Sequence, residues 1–440
     1  MNTPICSFLA KYANKNALRL HMPGHKGIGD IEQYDLTEID GADSLYEADG
    51  IIKESEENAS ELFGSHTLYS TEGSSLALRA MLYLAMLTRA DNSRPVVLAG
   101  RNAHKVFVSA AALLDFDIEW LAGGSSYLSS AVSPCEIEER ILAMSTRPIA
   151  VYITSPDYLG NLADVNGIAK VCKKFGVLLL VDNAHGAYLA FTEPSTHPIA
   201  LGADMCVDSA HKTLPCLTGT AYLHLSDTMP SEIKTRAKSA LALFGSTSPS
   251  YLLLASLDRV NHYLAGGYKE KLSTFFAKLD EMKTNLRSVG YELVGDEKMK
   301  LTIMPKSYGY TGCELAKHLL KNNITPEFYD PDFLVLMPTP ELSDMDMARI
   351  EVVLLMLKKR EPITTMPPPI AKAERAISPR EAVLSNAERI PISEAEGRIL
   401  ADITVGCPPA IPIAVSGEII NNEVILAFKY YGIDHCSVVK

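Results

Sequence analysis

The chain has 440 residues, and its 47% hydrophobic content is enough for one large core and a second, smaller one. The formal charge of −12, from 41 Lys+Arg against 53 Asp+Glu, and the lack of a basic block argue against a nucleic-acid partner. The eight cysteines are scattered, without CxxC or zinc-type spacing, which predicts neither a disulfide framework nor a metal site and favours a reducing cytoplasm. The chain shows no apolar run near the roughly 18 residues of a membrane span and no signal-peptide pattern, so we predict a soluble cytoplasmic protein.

In the N-terminal part of the chain, strand patterns alternate with helix patterns. A short amphipathic opening and a polar loop, Arg19–Asp30, come first, and a helical pattern from Glu54 then ends at Gly64, which suits a helix C-cap. A strand-like "SHTLYST" leads to the long helical run "SLALRAMLYLAMLTRA", after which apolar strands and amphipathic helices alternate as far as "ADMCVDSAHK". This order predicts βαβ units around a mainly parallel sheet, in which ligands bind at the carboxyl ends of the strands.

The C-terminal part has a different pattern. Helical stretches follow Ser231, and the long helix "YKEKLSTFFAKLDEMKTNLRSVG" leads to a region with strands, a helix and a proline-rich joint, Thr364–Glu374. We therefore predict an N-terminal arm and loop at 1–30, a large domain at 31–300 and a smaller α+β domain at 301–440.

The segment "TEGSS", Thr71–Ser75, comes directly before the long helical run. Gly73, Ser74 and Ser75 at a helix N-terminus would offer backbone N–H groups, the positive end of the helix dipole and side-chain donors, all of which suit a phosphate. The same residue types are ordinary helix caps, so this segment alone does not decide between the two interpretations.

The apolar run in "LLLVDNAHGAY" predicts a buried strand with Asp182 at its carboxyl end and His185 three residues later. A carboxylate buried at that position needs a cationic partner, and a protonated pyridine nitrogen would serve. The alternative is a helix-capping Asp182 with His185 on the surface, and Asp182 alone fits both.

Lys212 lies in "DSAHKTLPCLTG", 30 residues after Asp182. That separation is compatible with a connecting helix and a further strand, at whose carboxyl end Lys212 would lie. The uncharged residues that follow Lys212 suit a lysine that loses its proton and forms an imine with an aldehyde. Ser209 and His211 beside it could donate to a phosphate. A phosphate site, a carboxylate for a pyridinium and an imine-forming lysine are together what pyridoxal phosphate (PLP) requires.

These motifs resemble those of the ornithine/lysine/arginine decarboxylases, which are fold-type-I PLP enzymes. The resemblance covers most of the chain and rests on "LHMPGHKG", "DLTEIDGADSLYEADGIIKESEENASELFG", "RNAHKV", "YITSPDYLGNLADV", "VDNAHGAY", "GADMCVDSAHKTLPCLTG" and "STSPSYLLLASLD". It implies an α/β large domain with the aspartate-aminotransferase fold and a mainly parallel sheet, plus a smaller α+β C-terminal domain. It also implies a homodimer or higher homo-oligomer with shared active sites.

The resemblance further implies a role for each motif residue. Lys212 would bond to the PLP aldehyde, Asp182 would pair with the pyridine nitrogen, and His104 in "RNAHKV" would stack on the ring. The phosphate would be held by Gly73, Ser74, Ser75, Ser209 and His211, with Ser246 or Thr247 from a neighbouring subunit. The candidates for the general acid that returns a proton to Cα are His211, Lys212 and His185. His25 and Lys26 would line the entrance.

The implied reaction is the decarboxylation of lysine, ornithine or arginine to the amine and CO2, in polyamine metabolism or acid resistance. An acidic segment offers Asp43, Glu47 and Asp49 to the cationic end of such a substrate, although for any one of them a solvated acidic loop is the more common case. The chain departs from the family pattern at "TEGSS", at Asn183 where Glu is usual, and in "CPPAIPIAVSGE", Cys407–Glu418. Two alternatives therefore stay open: another PLP reaction, such as transamination or carbon–carbon lysis, and a PLP-binding homologue without activity.

Overall fold

The structure is a computed structural model and describes residues 1–89, 93–121, 127–129, 131–407 and 411–440. The helices in these ranges are α1 Pro4–Asn14, α2 Ile51–Phe63, α3 Gly73–Met86, α4 Lys105–Leu114, α5 Pro134–Ala143, α6 Val165–Phe175, α7 Ala210–Thr213, α8 Ser231–Phe244, α9 Tyr251–Ala265, α10 Tyr268–Ser288, α11 Gly312–Lys321, α12 Asp344–Leu355, α13 Pro379–Leu384 and α14 Asn422–Tyr430. The strands are β1 His66–Ser70, β2 Val96–Gly100, β3 Asp117–Leu121, β4 Ala150–Thr154, β5 Leu178–Asp182, β6 Met205–Asp208, β7 Ala221–Leu225, β8 Glu292–Val294, β9 Leu301–Met304, β10 Phe328–Tyr329, β11 Leu334–Leu336, β12 Ala387–Pro391, β13 Thr404–Cys407, β14 Ile411–Val415 and β15 His435–Val439.

The large sheet has seven strands in the order β1-β7-β6-β5-β4-β2-β3. Strands β5 and β6 run parallel, as do β2 and β3, whereas β7 runs antiparallel to both of its neighbours, β6 and β1. Every residue of β6 and β7 is buried, as expected for central strands whose two faces are both covered. The alternating strand and helix patterns therefore predicted the α/β sheet correctly.

The chain divides into two compact units. The first comprises residues 1–92, 149–151 and 165–272 and contains β1, β5, β6 and β7; the second comprises residues 93–148, 152–164 and 273–440. The second unit includes a four-stranded antiparallel sheet, β10-β11-β9-β8, and two two-stranded sheets, β12-β15 and β13-β14. Its core gathers aromatic and aliphatic side chains from strands and helices near the C-terminus, among them Leu400, Ile413, Phe428 and Val438. The domain boundaries near residues 30 and 300 stay a prediction.

Local signals explain where several elements begin and end. Gly64 adopts a left-handed conformation (φ +62°) and its N–H donates to the Ser60 carbonyl, which confirms the predicted C-cap of α2. Helices α11, α12 and α13 each begin with a capping box, in which the cap hydroxyl and a carboxylate three residues later satisfy each other's backbone N–H groups. Among the helices of the described ranges, none has the length and apolar character that a bilayer crossing requires.

Candidate active site

Strand β5 ends at Asp182, as the sequence predicts. The Asp182 carboxylate is buried, and its Oδ1 accepts a hydrogen bond from the Ala184 N–H at 3.2 Å. His185, three residues later, is only 6% exposed, so the alternative that placed His185 on the surface is wrong. The end of β5 therefore presents a buried carboxylate and a buried imidazole close together in sequence.

The next strand, β6, leads directly to the predicted lysine. Ser209 follows the last residue of β6 and is the N-cap of the short helix α7, on which His211 and Lys212 lie. Lys212 Nζ donates to His185 Nε2 at 3.2 Å. Because β5 and β6 are parallel neighbours with Asp182 opposite Val207, the two sequence motifs meet at the carboxyl ends of their strands.

Ser209 and His211 differ in what they can offer a ligand. The Ser209 hydroxyl is fully buried and has no hydrogen-bond partner among the described residues, which is unusual for a buried polar group. The Nδ1 of His211 lies 2.8 Å from the Thr220 carbonyl and must donate to it, because a carbonyl only accepts. Burial lowers the pKa of His211, with Lys212 adding to the effect, so the neutral ring offers a lone pair at Nε2.

The "TEGSS" segment forms the start of α3, as predicted. Gly73 is the first helical residue, with φ +70°, and its N–H donates to the Gly219 carbonyl at 2.7 Å. Gly219 belongs to the loop that follows Lys212, so this bond ties the start of α3 to the lysine segment. The N-cap residue Glu72 makes no side-chain capping bond, which leaves the first-turn N–H groups of Ser74 and Ser75 for a ligand. The unpartnered Ser209 hydroxyl and this uncapped helix N-terminus both fit a phosphate group.

Three further predicted residues lie on other segments. The Ser246 N–H donates to Glu72 Oε1 of the same chain at 2.6 Å, which places the Ser246 backbone beside the N-cap of α3, and the neighbouring Thr247 is exposed. His104 belongs to the second unit, where it is the N-cap of α4 and its Nδ1 accepts from the Val106 N–H at 3.3 Å. Ring stacking by His104 and a phosphate contact from Thr247 stay predictions.

The acidic segment has a structural use that its sequence did not reveal. Asp43 accepts hydrogen bonds from the backbone N–H groups of Ser44, Asp49, Gly50 and Ile52, and these bonds lower the pKa of the Asp43 carboxyl against the opposing effect of burial. This carboxylate therefore holds the turn before α2. Two candidates for the substrate's cationic end remain exposed, Glu47 and Asp49.

The entrance loop and the C-terminal motif are only partly defined by contacts. His25 Nε2 lies 3.1 Å from Asp35 Oδ2, and Lys26 Nζ donates to the His21 carbonyl at 2.7 Å. In the departing motif Cys407–Glu418, residues 408–410 lie outside the described residues. Its last residue, Glu418, accepts from Arg101 Nη2 at 2.9 Å within the second unit.

Sequence reasoning missed the buried Asp208, which ends β6, and assigned no role to His197 or His224. Both histidines donate to the Asp208 carboxylate, together with Asn183. The available signal was a carboxylate inside an otherwise apolar strand, the same signal that singled out Asp182.

Comparisons with known proteins agree with the arrangement of these motifs. The family model "Orn/Lys/Arg decarboxylase, major domain" matches residues 3–304, and the model of the C-terminal domain of the same family matches residues 358–433. The chain belongs to the Orn/Lys/Arg decarboxylase family. An arginine decarboxylase of Bacillus subtilis (strain 168) is 31% identical over an alignment that covers 96% of this chain and 92% of that relative.

Solved structures with the same fold include two lysine decarboxylases. The Francisella novicida lysine decarboxylase LdcF has a TM-score of 0.82 at 19% identity and covers 100% of this chain and 81% of that one. The constitutive lysine decarboxylase of E. coli has a TM-score of 0.78 at 18% identity, covering 100% of this chain and 82% of that one. These likenesses confirm the predicted fold class, an α/β large domain with a mainly parallel sheet and a smaller C-terminal domain.

Proposed function

We propose that this family member is a PLP-dependent decarboxylase that converts a basic amino acid, arginine, lysine or ornithine, into its amine and CO2. The observation that carries the proposal is the pairing of Lys212 Nζ with His185 Nε2 at 3.2 Å, at the carboxyl ends of β5 and β6. Because the curated relative from Bacillus subtilis is named an arginine decarboxylase, arginine is the first substrate to test.

The residues present suit PLP. When bound, PLP withdraws electrons from the Cα of an attached amino acid and so weakens the bond from Cα to the carboxylate. Lys212 would supply the amine that holds the PLP aldehyde, and Asp182 would keep a proton on the pyridine nitrogen. The buried Ser209 hydroxyl, with Ser74 and Ser75 at the start of α3, would hold the phosphate, while Gly73, whose N–H already donates to Gly219, would shape the turn that presents them.

The imidazoles at the site differ in the protons they can move. His185 contacts the Lys212 amine directly and can exchange a proton with it. His211 uses its only proton on the Thr220 carbonyl, and its lowered pKa keeps Nε2 unprotonated near neutral pH. We therefore assign proton transfer to His185 and Lys212. His211 is assigned a contact to the ligand in which its Nε2 accepts a hydrogen bond.

We also infer that the chain works as a homodimer or a higher homo-oligomer. Large apolar side chains in the loop between α1 and α2 are strongly exposed: Leu18 by 85%, Leu20 by 84%, Met22 by 71%, Ile28 by 82% and Ile31 by 62%. An apolar surface of this kind marks a protein contact site. A shared active site, a role in polyamine metabolism and a cytoplasmic location are further predictions of the same family resemblance.

Product analysis tests the function. PLP-loaded protein is incubated separately with arginine, lysine and ornithine, and the mixtures are analysed by mass spectrometry. We expect agmatine, cadaverine or putrescine from one of them, and none from Lys212→Ala. A matched control is Lys234→Ala, which removes a half-buried lysine of α8 that donates to the Asp227 carbonyl at 3.0 Å, and it should keep the activity.

Intact amino acids after incubation with PLP-bound protein would contradict decarboxylation. A keto acid product would instead indicate transamination. Amine formation by Lys212→Ala at the wild-type rate would contradict the role of Lys212.

A further inference from the structure

A buried hydrogen-bond network lies directly behind the proposed cofactor residues. Asp208, the last residue of β6, is fully buried and accepts three hydrogen bonds: from Asn183 Nδ2 at 2.6 Å, from His197 Nε2 at 3.1 Å and from His224 Nε2 at 3.2 Å. We name these four residues the Asp208 network. A carboxylate buried this deeply is stable only when it is paired in this way.

The network joins the two strand ends that bear the proposed PLP residues. Asn183 directly follows Asp182, and Asp208 directly precedes Ser209. Asp182 lies opposite Val207 in the register of β5 and β6, and the Asn183 N–H donates to the Val207 carbonyl at 3.0 Å. The short bond from Asn183 to Asp208 therefore continues the pairing of the strands beyond their last ladder position.

The two histidines extend the network across the first unit. His224 lies on β7 opposite Cys206, and its Nδ1 pairs with the Thr67 hydroxyl on β1 at 2.9 Å. His197 comes from the segment between β5 and β6 and is 1% exposed. One carboxylate thus connects β5, β6, β7 and, through His224, β1.

Resting on the proposed function, we propose that Asp208 and Asn183 are positioning residues that hold Asp182 at a fixed distance from the Ser209–Lys212 turn. Successive side chains of a strand point to opposite faces, so Asn183 and Asp208 point away from the side on which Asp182 and Ser209 lie. They therefore act on the cofactor site through the backbone of the two strand ends. A displacement of about 1 Å between groups that hold one ligand can cost a large factor in binding or rate.

The charge of Asp208 suits this role. Burial alone would raise the pKa of the Asp208 carboxyl, but His197 and His224 outweigh burial and hold that pKa well below its usual range. The lowered pKa favours the ionised carboxylate, the form that accepts all three hydrogen bonds.

A bound metal ion is the competing use of the same side chains. Donor atoms of His197, Cys206, Asp208 and His224 lie within 4.8 Å of one another. The hydrogen-bonded arrangement is favoured because both carboxylate oxygens of Asp208 already accept N–H groups.

The first test removes the hydrogen bond from Asn183 to Asp208. Asn183→Ala breaks this link to the end of β5 but leaves Asp208 with both histidines. The matched control is Asn261→Ala, because Asn261 is also fully buried in the first unit, donates through Nδ2 to Ser55 O and Tyr69 Oη, and has an unpartnered Oδ1 among the described residues, as Asn183 has. The readouts are the PLP dissociation constant from an absorbance titration and the melting temperature of the PLP-free protein.

We expect Asn183→Ala to weaken PLP binding about tenfold, the equivalent of one good hydrogen bond, while Asn261→Ala binds PLP like wild type. Both should lower the melting temperature. Equal PLP affinity in Asn183→Ala and wild type would overturn the inference, as would an equal loss in Asn261→Ala. If the wild-type protein bound no PLP, the proposed function itself would be wrong. That result is distinct from equal PLP affinity in variant and wild type, which would contradict only the positioning role.

A second pair of variants tests the centre of the network. Asp208→Ala is compared with Asp258→Ala, since Asp258 is a fully buried carboxylate of α9 that accepts from Ser55 Oγ and the Cys6 N–H. Asp208→Ala should weaken PLP binding more than Asn183→Ala does. If Asp208→Ala does not fold, the comparison of Asn183→Ala with Asn261→Ala tests the positioning role by itself. One equivalent of tightly bound metal in purified wild type that disappears in Cys206→Ser would overturn the inference, because the side chains would then form a metal site.

Discussion

Among single residues, Ser209 should affect the stability of the PLP-free protein and the binding of PLP in opposite directions. A buried polar group without a partner costs roughly 1–3 kcal/mol, and the Ser209 hydroxyl has none among the described residues. Ser209→Ala should therefore leave the melting temperature of the PLP-free protein unchanged or raise it. The same change should weaken PLP binding several-fold, since it removes a donor to the phosphate.

Ser416→Ala is the matched control for this prediction. Ser416 is fully buried in the second unit, and its hydroxyl likewise has no partner among the described residues. The control should show the same effect on melting and none on PLP affinity, both measured by thermal scans and absorbance titration. Wild-type PLP affinity in Ser209→Ala would remove Ser209 from the phosphate site.

Residues differed in how far their sequence context could predict them. The positions of Asp182 and Lys212 could be predicted because Asp182 ends one apolar strand and Lys212 closely follows the next, and parallel strand ends meet at one edge of a sheet. The use of the Asp43 carboxylate could not be predicted, because the five backbone N–H groups that donate to it come close together only in the folded turn. The apolar strand before Asp208 indicates a buried carboxylate, but its three partners come from separate elements, and no local pattern links them.

At the scale of elements, the turn between β10 and β11 should give a measurable pH dependence. Asp330 in this turn accepts from the N–H groups of Asp332 and Phe333 through Oδ1, while its buried Oδ2 has no partner among the described residues. Burial raises the pKa of the Asp330 carboxyl to about 6. The folded protein therefore keeps this proton up to about pH 6, whereas an unfolded chain loses it near pH 4.

Between these two pH values the folded state binds more protons than the unfolded state, so the free energy of unfolding falls as pH rises. Asp330→Asn removes this titration. The stability of Asp330→Asn relative to wild type should increase by about 2–3 kcal/mol from pH 4 to pH 7. Urea unfolding at several pH values measures it, and a difference between variant and wild type that does not change with pH would contradict the assigned pKa.

The start of α3 shows why glycine is needed at an element boundary. Gly73 has φ +70°, and a Cβ there would meet no atom within 4 Å, so only the backbone conformation opposes a side chain. Gly73→Ala should lower the free energy of unfolding by about 1–2 kcal/mol. Gly73→Asn should lose less, because Asn tolerates the left-handed region better. Equal losses in thermal or urea unfolding would argue against this explanation.

At the scale of the whole molecule, the exposed loop between α1 and α2 predicts self-association. Sedimentation of the purified protein should give at least twice the 47.9 kDa chain mass. Leu20→Asp should weaken the association, since it places a charge in an apolar contact. Leu142→Asp, at a leucine of α5 that is 67% exposed, is the control and should leave the mass unchanged. A wild-type monomer at micromolar concentration would contradict the proposed oligomer.

The pattern of strands and helices was predictable from the sequence, because periodicity and glycine or proline signals are local. The grouping of chain segments into compact units was not, since residues 93–148 cluster with residues 273–440, which lie far from them in sequence. That grouping depends on contacts between distant segments, which no local pattern encodes.

Lys212 is the residue on which the proposed function depends, and borohydride reduction tests whether it bonds to PLP. Protein loaded with PLP is reduced, digested and mapped by mass spectrometry. We expect a single PLP-modified peptide that contains Lys212, and none in Lys212→Ala. Reduction that leaves Lys212 unmodified, or that marks another lysine of the native protein in its place, would show that Lys212 does not bond to PLP.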